Sequence, residues 1–148
     1  MNSSLRMSFA VADDLHVTGK IREAIEALGS VESSDSYARR SRWTVDLSEE
    51  ESDKDAKLKV LKAAEADALK AIDLDEKNFA AWKAAAIVKG KLQKCVGTNE
   101  KVALTKEVKE NIEKALELNP EDGASWHVLG MWHTGVANSI LACQEQNH

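Results

Sequence analysis

Residues 71–82 read AIDLDEKNFAAW, and after an interval of 44 residues the chain repeats the pattern as ALELNPEDGASW at residues 115–126. Apolar, acidic and tryptophan positions match between the two stretches. Each stretch predicts the end of one helix, a short turn, and a second helix that carries Trp82 or Trp126 near its start. A segment of this kind that recurs at a constant interval is typical of a solenoid of stacked helical hairpins.

The apolar periodicity outside these stretches predicts further helices. A helical hairpin is predicted over residues 8–28 with its turn at Gly19, and single helices are predicted over residues 37–45, 58–74, 78–93 and 100–118. Because of the acidic stretch 46–55, the sequence does not define where the helix predicted over residues 58–74 begins. Asn119 and Pro120 are suited to begin the last helix, because asparagine caps a helix start and proline in the first turn loses no needed hydrogen bond. That helix is predicted to fade after about Ala137.

The composition predicts a single all-α domain. The chain has 148 residues, of which 43% are hydrophobic and 30% are charged, and this balance is that of an ordinary globular protein. One proline and seven glycines are too few for the many turns of a β-sandwich or a β-barrel.

Charge and cysteine content exclude several classes of protein. A formal charge of -5 argues against nucleic-acid binding along the whole chain. Cys95 and Cys143 lie far apart and do not form a disulfide framework, so both are predicted to be reduced thiols inside the cell. The apolar part of residues 1–12 is too short for a signal sequence or a membrane span, so a soluble chain is predicted.

The sequence contains no pattern for catalysis, metal binding or a cofactor. The four histidines form no H-x3-H pair, and His127 and His133 are expected on different sides of a helix. Phosphate-binding glycine motifs, nucleophile motifs and calcium loops are absent. Asp13, Asp14 and the run 49–51 are interpreted as solvated surface acids. We therefore predict a protein that is not an enzyme and holds no cofactor or metal.

The repeated segment resembles the tetratricopeptide repeat, whose pattern is W-x2-L-G-x2-Y, then A-x3-F and a proline between units. Trp126, Leu129 and Gly130 match this pattern best, whereas alanines replace the Leu-Gly pair after Trp82. The extra length over the usual repeat of about 34 residues falls in residues 92–105, within one hairpin. The resemblance implies an all-α, tetratricopeptide-like helical solenoid of stacked antiparallel helix pairs with an elongated hairpin.

The elongated hairpin, together with ADDLHVTGKIREAIEAL at residues 12–28 and ALELNPEDGASWHVLGMWHTGVA at residues 115–137, resembles the regulator of microtubule dynamics family. The likeness covers most of residues 10–140 and is poorest at 31–55. It implies a cytoplasmic protein that associates with microtubules and the spindle and contributes to chromosome segregation, with mitochondria as a further location. We expect a disordered N-terminus at 1–7, a helical domain at 8–138, and a tail at 139–148 that is truncated relative to the family.

Two groups of residues are predicted to bind a protein partner. Arg39, Arg40 and Arg42 form the only dense basic cluster and are suited to the acidic tails of tubulin or to a phosphorylated partner, although a solvated helix face is the simpler interpretation. A concave groove is expected to present residues from the first helix of successive units, namely Lys83, Ile87, Lys91, His127, Met131 and Thr134. The two lysines are also compatible with a plain surface role.

The tryptophans and the end of the chain give the remaining expectations. Trp82 and Trp126 are predicted to wedge between helices of the core. The last helix lacks an antiparallel partner, which predicts either a chain that is truncated relative to the family or a homodimer that covers Trp126, Val128 and Trp132. Two alternatives remain open for the function: a peptide adaptor without a cytoskeletal target, in which Lys83, Lys91 and His127 hold a carboxylate, and an organelle-associated tether or lipid-handling module.

Overall fold

The computed structural model describes the backbone at residues 3–29 and 31–146, and the side chains at residues 9–29 and 31–135. Over that part of the chain it has seven helices and no strand, which confirms the predicted all-α fold. The helices are α1 Ser3–Val17, α2 Ile21–Ala27, α3 Ser34–Ser48, α4 Lys54–Leu74, α5 Phe79–Leu92, α6 Thr98–Leu118 and α7 Gly123–Gln146.

Neighbouring helices pair and stack into a solenoid. The pairs α1/α2, α3/α4 and α5/α6 each form a hairpin, and α7 packs on α6. The odd-numbered helices also lie beside one another, since α5 contacts both α3 and α7. Gly19 makes the turn of the first hairpin with a φ of 86°, a conformation that glycine adopts without strain. No helix among the described residues is long and apolar enough to cross a membrane.

The internal repeat is reproduced in the boundaries of the helices and in the turns that follow them. Helices α4 and α6 each contain 21 residues and occupy equivalent positions 44 residues apart. After α4, the backbone N–H of Lys77 donates to the Asp75 carboxylate over 3.1 Å. After α6, the backbone N–H of Glu121 donates to the Asn119 side-chain oxygen over 3.4 Å. The extra residues of the elongated hairpin lengthen α6 rather than adding a long loop.

The two repeated tryptophans make the same hydrogen bond but differ in burial. Trp82 Nε1 donates to the Glu76 carbonyl over 2.7 Å, and Trp126 Nε1 donates to the Pro120 carbonyl over 2.7 Å. Trp82 is partly buried against α6, whereas Trp126 is 53% exposed. The prediction that Trp126 wedges into the core is therefore wrong, because no described helix covers α7 as α6 covers α5.

The face of α7 that was predicted to be open is in part occupied. Val128 and Trp132 pack against the apolar residues of α6. Trp132 Nε1 also donates to the Thr105 carbonyl over 2.7 Å. Of the three residues predicted to lie on a dimer surface, Trp126 alone is an exposed large apolar side chain.

Helices α3 and α4 approach closely because small residues line their contact. Ser34 and Ser41 lie seven residues apart on α3 and donate their hydroxyl protons to the carbonyls of Ala71 and Ala64 on α4, both over 2.7 Å. Hydroxyls that bond across to a neighbouring backbone leave no room for larger side chains between the two helices. Leu61 and the neighbouring alanines of α4 continue this contact into the central core.

Several helices are longer than the sequence predicts. Helix α3 covers 34–48 rather than 37–45, and the backbone is helical at 3–7 and at 139–146. These helical residues lie where the sequence predicted a disordered N-terminus and a C-terminal tail, and the division into domain and tail stays a prediction; residues 1, 2, 147 and 148 lie outside the described part. Neither segment contains proline or glycine, so nothing in it breaks a helix.

We expect Ser41→Leu to destabilise the protein by about 1–3 kcal/mol, because a larger side chain forces α3 and α4 apart and the hydroxyl bond is lost. Urea unfolding followed by circular dichroism measures the change. Ala63→Leu serves as the matched control, since Ala63 lies on the exposed side of α4. If both substitutions lower the free energy of unfolding equally, the close contact between α3 and α4 does not limit the size of the side chain at residue 41.

Candidate binding groove

A groove of about 450 Å³ lies between α1, α3 and α5, and we refer to it below as the groove. It is lined by both charged and aromatic side chains, including Asp13, His16, Asp35, Arg39, Arg42, Trp43, Asn78 and Phe79. Helices α1 and α3, the start of α5 and its cap residue Asn78 supply the whole lining. The sequence predicted a binding surface on the helices that are α5 and α7 in the structure, whereas this groove lies further toward the N-terminus, between α1, α3 and the start of α5.

Arg39 is held by an ion pair within the protein. Its Nε lies 2.9 Å from Asp13 Oδ1 and its Nη2 lies 3.2 Å from Asp13 Oδ2, so the contact is bidentate. The guanidinium also lies 4.2 Å from the centroid of the Phe9 ring. Arg39 therefore links α3 to α1, and its charge is balanced before any partner arrives.

Arg40 and Arg42 point in different directions. Arg40 donates to the Gly29 carbonyl over 3.3 Å, away from the groove. Burial raises the pKa of Asp67 on α4, and the nearby charge of Arg40 opposes that rise only in part. Arg42 lines the groove and has no hydrogen bond or ion pair among the described side chains. The predicted basic cluster is thus divided, with Arg39 and Arg42 at the groove and Arg40 outside it.

The wall of the groove next to Arg42 contains a stacked pair of rings. The rings of His16 and Trp43 are 5.0 Å apart between centroids and inclined by 16°. His16 Nε2 forms a hydrogen bond of 3.0 Å with Asp46 Oδ2. Trp43 is only 6% exposed, so it lines the groove with a small part of its surface and otherwise belongs to the core beneath.

Lys83 is buried and links α5 to the start of α7. Its Nζ lies 3.2 Å from Asp122 Oδ2 and 5.2 Å from the centroid of the Phe79 ring. Asp122 also caps α7, since it accepts hydrogen bonds from the Ser125 N–H and hydroxyl. Burial acts to raise the pKa of Asp122, but the hydrogen bonds from Ser125 and Lys83 and the lysine charge outweigh it and lower the pKa.

Lys91 forms a corresponding link between α5 and α3. Its Nζ lies 2.8 Å from Glu49 Oε1, and this hydrogen bond is the largest cause of the lowered pKa of Glu49. Both lysines that were predicted to hold a carboxylate of a partner thus already hold one from their own chain.

The other predicted groove residues lie outside the groove. Ile87 is partly buried and packs against the central core. His127 and Met131 are exposed on α7, and Met131 is 57% exposed. Neither these three residues nor Lys83 and Lys91 line the space between α1, α3 and α5.

Sequence reasoning missed the side chains that join α3 to α5 at the mouth of the groove. Asn78 Nδ2 donates to Ser34 Oγ over 2.9 Å and to Asp35 Oδ1 over 3.0 Å. Asn78 also caps α5 by accepting from the Ala80 N–H. Its place at the start of the helix predicted over residues 78–93 was the available signal, but its partners lie more than forty residues away in the chain.

The described side chains contain no group of three or more histidine, cysteine or acidic residues placed to hold a metal ion. Cys95 is a free, partly buried thiol. The side chains of Cys143 and His148 lie outside the described residues.

Comparison with known sequences points to the same family that the sequence patterns resemble. Residues 8–142 match the family model described as Regulator of microtubule dynamics protein 1-3. Regulator of microtubule dynamics protein 1 of Pongo abelii is 40% identical over 95 residues, which are 64% of this chain and 30% of that protein. The Bos taurus protein of the same name is 34% identical over 132 residues, which are 85% of this chain and 41% of that protein. The chain therefore spans less than half the length of these curated relatives.

Solved structures with the same fold are tetratricopeptide domains. The first tetratricopeptide domain of Spaghetti (RPAP3), solved with the HSP90 peptide SRMEEVD, superposes with a TM-score of 0.66 at 19% identity and covers 93% of this chain and 97% of that chain. The Arabidopsis OM64 tetratricopeptide domain gives a TM-score of 0.66 at 15% identity, covering 88% and 94%. The tetratricopeptide-like fold predicted from the sequence is confirmed.

We expect Asp122→Ala to destabilise the protein by about 1–3 kcal/mol, because it removes a helix cap and leaves Lys83 buried without its partner. Asp122→Asn keeps an oxygen that caps α7 and removes only the charge, so a smaller loss is expected. Urea unfolding at neutral pH compares both variants with the wild type. Equal losses would mean that the ion pair to Lys83, and not the cap, carries the effect.

The stabilisation by Asp122 should disappear in acid. Because folding lowers the pKa of Asp122 below its ordinary value of 3.8, its contribution is full above that value and is lost as the pH falls through the lower pKa of the folded state. The stability difference between the wild type and Asp122→Asn should therefore stay constant down to about pH 5 and shrink below about pH 4. A difference that persists in stronger acid would contradict the ion pair.

Proposed function

This chain belongs to the regulator of microtubule dynamics family, and we propose that its solenoid is a non-catalytic interaction module that associates with microtubules. The observation that carries the proposal is the match of the family model to residues 8–142, which include every residue that lines the groove. In this proposal the protein acts in the cytoplasm on microtubules and the spindle and contributes to chromosome segregation, with mitochondria as a further location.

The charge distribution limits how such a module can contact microtubules directly. The chain carries a formal charge of -5, and the tails of tubulin are acidic, so attraction must come from local cations. Arg39, Lys83 and Lys91 are already paired with carboxylates of the chain. Arg42 has no such partner among the described residues and lines the groove. We therefore assign the main electrostatic contact to Arg42, with Arg40 as a secondary contact outside the groove.

We expect Arg42→Glu to weaken co-sedimentation of the protein with microtubules by about threefold to tenfold at low salt. Wild-type binding should also fall between low and physiological salt, because exposed charges are screened. Arg42→Glu breaks no ion pair among the described residues. A triple variant of Arg39, Arg40 and Arg42 would also break the ion pair between Arg39 and Asp13, so its effect on binding could not be assigned to the groove alone.

Lys101→Glu is the matched control, because it changes the net charge equally at an exposed side chain of α6 that has no ion pair among the described residues and does not line the groove. It should sediment with microtubules as the wild type does. If neither Arg42→Glu nor added salt changes sedimentation, the electrostatic contact is rejected and association through another protein takes its place.

A peptide adaptor is the second candidate, because the solved structure of RPAP3 with the same fold holds the acidic peptide SRMEEVD. In this chain, however, Lys83 and Lys91 are engaged by Asp122 and Glu49. An acidic peptide would have to displace these carboxylates before it could use either lysine. Binding of such a peptide by the lysines is thus opposed by the ion pairs that hold the odd-numbered helices together.

The peptide SRMEEVD itself tests the adaptor. We expect it to bind the wild type more weakly than the double variant Asp122→Asn, Glu49→Gln, in which both lysines are released, and isothermal titration calorimetry measures the difference. The control double variant Glu113→Gln, Glu117→Gln removes the same charge from exposed positions on α6. Tight binding to the wild type would overturn this expectation and favour the adaptor.

The remaining sequence-based alternatives have no specific support. The groove is lined by charged side chains, as is a smaller cavity of about 310 Å³ beside Gly19, so neither suits a lipid tail. The homodimer through α7 stays a prediction, with a smaller apolar surface than the sequence suggested because Val128 and Trp132 pack on α6.

A further inference from the structure

Arg42 has no partner among the described side chains although acidic residues lie close to it. Asp13 and Asp35 line the groove together with Arg42. Asp46 follows Arg42 on α3. Each of the three carboxylates is already bonded within the chain: Asp13 to Arg39, Asp35 to Asn78 and Asp46 to His16. Whether Arg42 stays unpaired therefore depends on the side chains that hold these acids.

Asp46 is the acid best placed to pair with Arg42. The two residues are four positions apart on α3, and oppositely charged side chains at this spacing meet on one face of a helix. No other acid lies within four residues of Arg42 on either side. Asp35 is two turns away, about 10 Å along the helix axis, and Asp13 is held by two hydrogen bonds from Arg39. Within its own helix, Arg42 would thus be neutralised by Asp46.

His16 of α1 holds Asp46 instead. Its Nε2 lies 3.0 Å from Asp46 Oδ2, and because a carboxylate only accepts, this nitrogen carries the proton and donates. The imidazole ring is fixed by its stacking on the buried Trp43, with 5.0 Å between the ring centroids. A ring anchored on the core of the N-terminal hairpin thus determines where the Asp46 carboxylate lies.

We propose that His16 is a positioning residue for the groove, which holds Asp46 away from Arg42 and so keeps the guanidinium available to a carboxylate of an acidic polypeptide. When the hydrogen bond from His16 is lost, Asp46 pairs with Arg42 across one turn of α3, and the groove loses its unpaired cation. The proposal rests on the assigned role of Arg42 and adds a condition to it. An acidic segment binds well only while α1 is docked on α3.

Two substitutions of His16 separate the hydrogen bond from the packing of the ring. The probe is fluorescein-labelled hexaglutamate, and its anisotropy is measured at low salt during titration with the full chain. His16→Phe keeps a ring on Trp43 but removes the donor, so we expect binding to weaken by about twofold to threefold, the scale of an ion pair between residues four apart on a helix. His16→Gln keeps an amide N–H that can donate to Asp46 and should preserve binding.

A second substitution tests whether His16 acts through Asp46. Adding Asp46→Asn to His16→Phe should restore binding of hexaglutamate, and the gain should exceed that of Asp46→Asn alone, because Asp46 is not paired with Arg42 in the wild type. Asp73→Asn is the matched control, since it removes the same charge from an exposed residue of α4 that has no ion pair among the described residues. In a chain that carries Arg42→Gln, His16→Phe should have no effect on binding.

Several results would overturn the proposal. These are failure of hexaglutamate to bind the wild type, wild-type binding by His16→Phe, failure of Asp46→Asn to restore binding, or an effect of His16→Phe that persists with Arg42→Gln. Circular dichroism establishes that each variant is folded. If His16→Phe does not fold, Asp46→Asn alone decides. A gain as large as the loss expected from His16→Phe, abolished by Arg42→Gln, would mean that Asp46 already pairs with Arg42, whereas a smaller gain supports the proposal.

Co-sedimentation of the same variants with microtubules separates this proposal from the proposed function. If hexaglutamate binding follows the expected pattern but no variant changes sedimentation, the role of His16 stands and the direct contact with microtubules is rejected. If Arg42→Glu lowers sedimentation while His16→Phe changes neither sedimentation nor hexaglutamate binding, the contact stands and the role of His16 is rejected.

Discussion

Polar links between neighbouring odd-numbered helices constrain the rest of this structure. Arg39 joins α3 to α1, Asn78 and Lys91 join α5 to α3, and Lys83 joins α5 to α7. A lysine as buried as Lys83 is tolerated only with a partner, because an unpaired buried charge is strongly unfavourable. The same links neutralise the cations that a binding surface would otherwise present. Holding the stack together and attracting an acidic partner therefore compete for the same side chains.

The repeat explains why the fold was predictable from the sequence. The pattern around Trp82 and Trp126 encodes a helix end, a turn and a helix start, and each of these depends on contacts within a few residues. A third copy was missed. Ser33 caps α3 as Asn78 caps α5, and Tyr37 follows Ser33 by the same four residues that separate Trp82 from Asn78. This copy lies one residue out of step with the other two, which conceals it from an alignment at a fixed interval.

The candidate site was much less predictable than the fold. Nothing near Arg39 in the sequence indicates that Asp13 neutralises it, because that contact exists only once α1 and α3 lie side by side. The predicted burial of Trp126 is wrong for a related reason. A tryptophan in a repeat is buried only where a further helix packs against the face of the helix that carries it. Local patterns thus predict which helices form, whereas the net charge and exposure of each side chain depend on neighbours that are distant in the chain.

The serine contacts between α3 and α4 have a mechanical consequence. Ser34 and Ser41 bond to the α4 carbonyls at matched intervals, so sliding one helix along the other by a single residue would break both bonds at once. This hairpin therefore behaves as a stiff unit with a fixed register. At the terminus, by contrast, α7 contacts α6 and only a small part of α5. Over the described residues, a load on the solenoid is therefore expected to move α7 against α6 more readily than α3 against α4.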